Sequence, residues 1–180
     1  MLLAAKTSLA AIKRVGEVVS RDLQSGVSVA VYGDVVVFYV RDQGQPKFNS
    51  ELIVADATAL AAFFKEGADQ MVRQGGAGLG ETVRFDPTPL TCSIIMPGVT
   101  LGMLKAIGVI RFGETVKDCI AVMLRGNELV VRIFVGGRKH YEIAFGRDQC
   151  EKMAEFLERA AQLARTAGGA APPPRLILPA

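Results

Sequence analysis

The chain of 180 residues has no tryptophan, one histidine and three cysteines. These shortages exclude much before any motif is sought. A Ser-His-Asp or Cys-His arrangement would have to use His140, which sits in a strand pattern between Lys139 and Tyr141 with nothing local to make it a base. Cys92, Cys119 and Cys150 form no C-x-x-C pair and are odd in number, so buried thiols in an intracellular protein, cytoplasmic or nucleoid-associated, are expected rather than a disulfide framework. Together with His140 they fall in four separate segments without short ligand spacing, so neither metal nor cofactor is expected. The glycine-rich run from Gly75 to Glu81 lacks the Gly-Lys-Ser/Thr ending of a phosphate loop and reads as a joint. No enzymatic activity is expected.

Long hydrophobic runs are missing too. The longest, PLTCSIIMPGVTLGML, is broken by Pro97 and stops at Lys105, short of the roughly 20 residues that span a bilayer. The first residues, MLLAAKTSLAAIKRVG, have no basic n-region and are interrupted by Lys6 and Lys13, so neither a signal peptide nor a membrane segment is expected. What is present is a half-apolar chain, 50% hydrophobic and only 22% charged, which requires an ordered core. Its net charge of +3 is uneven: residues 1–90 hold 9 basic and 10 acidic side chains, residues 91–180 hold 12 and 8. The second half is the one able to orient a polyanion.

The chain reads as one unit written twice. A shift of 93 lays SGVSVAVYGDVVVFYV on DCIAVMLRGNELVVRI without a gap, and a shift of 92 lays SLAAIKRVG on TLGMLKAIG. Val27, Val29 and Val31 match Ile120, Val122 and Leu124 as one period-two face, and Val36, Phe38 and Val40 match Leu129, Val131 and Ile133 as the next. Gly33-Asp34 and Gly126-Asn127 suit two-residue hairpin turns of type II′ or I′. A third strand is expected at Phe48 to Val54 and Tyr141 to Phe145. Long helices are expected near Ala57 to Arg73 and Asp148 to Arg165, each with an apolar stripe. Short helices starting at Ser8 and Thr100 and ending at Gly16 and Gly108 complete the expected unit.

The predicted fold is therefore α+β, a tandem duplication of a strand–short helix–antiparallel strands–long helix unit. Its repeats are 1–87 and 88–180, the second ending in a proline-rich tail over 171–180. A last apolar piece follows each long helix, Thr82 to Phe85 and Arg175 to Leu178. The second is open between a swapped strand, a peptide ligand and a disordered tail.

Alternation assigns the remaining strand residues to the sheet face away from the helices. These are Ser28, Ala30, Tyr32, Val35, Val37, Tyr39, Arg41, Lys47 and Asn49, then Ala121, Met123, Arg125, Glu128, Val130, Arg132, Phe134, His140 and Glu142. Aromatic, aliphatic and basic residues interleave on a face expected to be exposed. One reading is a nucleic-acid platform, with Tyr39 and Phe134 meeting bases and Arg41, Lys47, Arg125, Arg132, Arg138 and Lys139 meeting phosphates. The other is a protein-interaction or self-assembly module, an oligomer that buries the same face.

Three resemblances reach these residues. CIAVMLRG, ELVVRIFVGG, RKHYEIAFG and the helix after them resemble the saddle of the TATA-box-binding protein family, itself a tandem repeat. The segment Ile133-Phe134-Val135-Gly136-Gly137 is similar to that family's strand end, whose phenylalanine wedges between base pairs, which implies DNA binding with Phe134 as the wedge. LTCSIIMPGVTLGMLKAIG and its hairpins resemble the unit of polymerase sliding clamps, which implies Lys13, Arg14 and Lys105 along a DNA channel. Whirly-type and positive-cofactor-type single-strand binders are similar in repeating strands followed by a helix; the expected short helix sets this chain apart from them.

Overall fold

The computed structural model describes residues 12–75, 83–86, 97–112 and 117–168. Strands β1 (Lys13–Val19), β2 (Gly26–Tyr32), β3 (Val35–Asp42) and β4 (Gln45–Leu52) are followed by helix α1 (Val54–Arg73). Then come β5 (Arg84–Asp86), β6 (Thr100–Leu101), β7 (Leu104–Arg111), β8 (Cys119–Arg125), β9 (Glu128–Val135), β10 (Arg138–Phe145) and helix α2 (Arg147–Ala167). The fold is α+β, with two antiparallel sheets ordered β1-β2-β3-β4 and β5-β10-β9-β8-β7-β6. No helix among the described residues is long and apolar enough to cross a membrane.

Both hairpin turns fall where the glycines place them. Gly33 and Gly126 take φ of 58° and 56°, while Asp34 and Asn127 do not enter the left-handed region, which selects type II′ over type I′. Neither expected short helix is found among the described residues. Lys13–Val19 and Leu104–Arg111 are strands, Thr100 lies in β6, and Ser8 lies outside the described residues. A bulge in each strand accounts for the difference. The β1–β2 register jumps at Val15 and the β7–β8 register jumps at Ile107, so one extra residue breaks the period of two and leaves apolar side chains at helix-like spacing. Gly16 and Gly108 follow those bulges and do not end helices; neither has a left-handed φ. Each lies beneath an aromatic ring, Gly16 beneath Phe156 of α2 and Gly108 beneath Phe63 of α1, where any β-carbon would overlap the ring.

These contacts cross the chain. α1 leaves the first sheet and packs chiefly on β7, β8 and β9 of the second, while α2 leaves the second sheet and packs on β1, β2 and β3 of the first. One continuous core results. It joins Val29, Phe38 and Leu52 of the first sheet, Ile120, Val131 and Phe145 of the second, and Leu60, Phe64, Met153 and Leu157 of the helices. Phe64 meets Phe145 edge-on with ring centroids 5.0 Å apart, and Lys65 of α1 is ion-paired with Glu158 of α2. Short β5 joins the second sheet by pairing with β10; the segment Arg175 to Leu178 lies outside the described residues. Cys119 and Cys150 are free and buried, and Cys92 is outside the described residues. Burial pushes both thiols up, far from thiolate chemistry.

Candidate nucleic-acid interface

The face of the second sheet away from the helices is composed as alternation predicts but is not exposed. Ala121, Met123, Val130 and Phe134 are each 1% exposed or less and cluster with Ala106 and Cys119 into a second, small core. Such side chains gain most by leaving water, so an apolar face this continuous packs instead of remaining a solvated platform. Phe134, the expected wedge, is fully buried. On the first sheet, Tyr39 is half-buried against Ala30, Tyr32 and Val37.

The basic residues of that face are drawn inward by a carboxylate. Glu142, buried on β10, accepts hydrogen bonds from Arg132 Nε at 2.7 Å and Arg125 Nη1 at 2.8 Å, and Lys139 Nζ lies 3.6 Å from its Oε2. Burial pushes the Glu142 carboxyl upward, but the hydrogen bonds from Arg132 and Arg125 and the charges of Arg132 and Lys139 outweigh it and hold it below the usual carboxylate range. Arg125 also reaches Glu128, which pairs with Arg84. Beside them lies a cavity of about 270 Å³ whose lining pairs Arg84 and Arg125 with Asp86 and Glu142, leaving no net charge to offer a polyanion. On the first sheet Arg41 donates to Glu17 Oε1 at 2.8 Å and to the carbonyls of Leu23 and Gln24 at 2.9 and 2.8 Å. Burial works against the Glu17 charge, yet the hydrogen bonds from Arg41 and Ser28 and the nearby arginines keep its carboxyl low.

Of the eight residues named from sequence, Lys47 and Arg138 are exposed and make no ion pair among the described residues. They sit at corresponding ends of the two sheets. β4 bulges at Lys47 opposite Val40 and Arg41, and β10 bulges at His140 opposite Ile133 and Phe134. The second bulge also turns Lys139 onto the face away from the helices and leaves His140 exposed.

These ends meet. Phe48 of β4 packs edge-on against Phe112, just past β7, at 5.2 Å between centroids. Tyr141 stands edge-on to His140 at 5.0 Å; burial raises its phenol, and the charge of Asp42, at the tip of the first sheet, raises it further. Around the same end of the second sheet, Gly137 N–H donates to the Lys117 carbonyl at 3.1 Å and Phe112 N–H donates to the Asp118 carbonyl at 3.2 Å. Half-buried Phe48, Phe112 and Tyr141 are thus flanked by exposed Lys47, Arg111, Lys117, Arg138 and His140. Sequence reasoning missed Arg111, Phe48 and Phe112 as members of one group, because only the contact between sheets unites them. No family model, curated protein or solved structure matches this chain.

Proposed function

We propose that the protein is a non-enzymatic binder of single-stranded nucleic acid, and that the strand crosses the end where the two sheets meet rather than a sheet face. The observation that carries this reading is the Phe48–Phe112 contact, which brings aromatic rings of both halves together next to Lys47 and Arg111, at the end of the second sheet where Arg138 follows the β9–β10 turn. Rings and cations interleaved in this way stack bases and neutralise phosphates, at about 1–3 kcal/mol per stacked base. The matched bulges at Val15 and Ile107 and at Lys47 and His140 support the reading of the chain as one unit written twice. With strands where short helices were expected, four strands of seven or eight residues and a helix in each half, beside the short β5 and β6, agree best with the likeness to Whirly-type single-strand binders.

Labelled DNA and RNA strands titrated by fluorescence anisotropy, at salt from about 50 to about 200 mM, test this. Replacing Lys47, Arg111 and Arg138 by alanine together should weaken binding and lower the salt slope by about two, at roughly 0.7 for each phosphate no longer neutralised. Absence of binding to any strand at low salt would refute the reading. Self-assembly is the second reading, and the β6–β7 hairpin favours it: Val99, Leu101 and Met103 are 42%, 58% and 80% exposed there. Solution mass distinguishes the two.

A further inference from the structure

Gln149 lies in the first turn of α2, four residues before Met153 and eight before Leu157, on the side of the helix that faces the core, and it is 2% exposed. Neither its amide nitrogen nor its amide oxygen has a hydrogen-bond partner among the described residues. A buried amide in this state costs stability, and an apolar side chain of the same length would remove that cost. Gln149 also lines a cavity of about 500 Å³ together with Asp148, Glu151, Lys152 and Glu155. Arg147 Nε is 3.6 Å from Asp148 and 3.5 Å from Glu151, so it offsets their charge without hydrogen-bonding either, while Glu155 has no ion pair among the described residues. The lining is acidic overall, which repels phosphate, and the described carboxylates are not grouped as metal ligands.

An occupant that suits this cavity must offer a donor and an acceptor side by side to the Gln149 amide and a positive charge to the acidic rim. A peptide supplies the first two at every residue, and lysine or arginine supplies the third. A polyamine supplies donors alone. We propose that the start of α2 is a docking site for a basic peptide segment of a partner protein, with Gln149 reading the peptide backbone and Glu151 and Glu155 reading its cationic side chains. α2 begins beyond the end of β10 opposite Arg138, roughly 25 Å along the strand, so this site and the proposed nucleic-acid interface can be filled together.

The probe is a capped peptide of alternating lysine and alanine, with the matching glutamate–alanine peptide and spermidine as controls, titrated by calorimetry against the full chain. The lysine peptide should bind and both controls should not. Gln149→Met should weaken binding at least about tenfold while raising the melting temperature, because it removes an unsatisfied buried amide. Glu155→Gln should weaken binding several-fold and flatten its salt dependence. The proposal is overturned if the lysine peptide does not bind, or if spermidine binds as tightly. It is equally overturned if Gln149→Met leaves the affinity unchanged, or lowers the melting temperature, which would make the amide structural.

Discussion

Glu142 shows how one buried carboxylate redirects three cations. Arg125, Arg132 and Lys139 converge on it, so these residues stabilise the second sheet rather than present charge to a ligand. Removing one member of such a buried group strands the others, at about 3–5 kcal/mol, and Glu142→Gln is expected to destabilise by that order at neutral pH. The folded-state pKa of Glu142 is depressed: burial opposes the charge, but the arginine hydrogen bonds prevail. Its contribution is therefore complete above the unfolded-state value of about 4.3 and disappears as pH falls through the folded one. The gap in melting temperature between wild type and Glu142→Gln should be full at pH 7 and narrow in acid; a gap that stays constant would show that another group titrates. None of this is readable from alternation. Alternation assigns a face, not a partner, and Glu142 reaches its arginines only through the β9–β10 register that the bulge at His140 resets.

At the level of elements, β1 and β7 illustrate how a bulge disguises a strand. Each carries one unpaired residue, Val15 or Ile107, ahead of a glycine over which a ring from the opposite half is laid. The glycine is thus a contact surface, and its signal in the sequence, a glycine between apolar residues, is the same one that marks a helix end. Gly108→Ala should cost about 1–3 kcal/mol, since the added methyl overlaps Phe63 in a packed region. Combining it with Phe63→Leu should recover part of that loss. Denaturant unfolding of the two single variants and the double variant measures the coupling, and strictly additive losses would show that the ring over Gly108 is not what excludes the methyl. The hairpins and long helices, by contrast, are legible in the sequence to within a few residues. Their glycine-led two-residue turns and apolar stripes are encoded within a few residues of chain, while the choice of type II′ over I′ is visible only in the backbone.

Over the whole molecule, the two halves interlock. Each sheet is covered by the helix of the other half, so a half expressed alone lacks the helix that seals its sheet. Residues 1–87 and 88–180, produced separately, are each expected to lack a cooperative thermal transition as monomers, and mixing them should restore one. A cooperative monomeric transition in either half would contradict the interlocked core. Local pattern is enough to say which residues form hairpins and helices and which side of each turns toward a core, because those patterns repeat within a few residues and follow from backbone geometry. Long-range packing alone chooses which sheet each helix covers, buries the opposite sheet face as well, and leaves Lys47 and Arg138 exposed while Arg132 and Lys139 are drawn in. The physical reason is that the two halves carry nearly the same pattern, so either helix suits either sheet locally. The choice rests on contacts between residues far apart in the chain, Phe63 over Gly108 and Phe156 over Gly16.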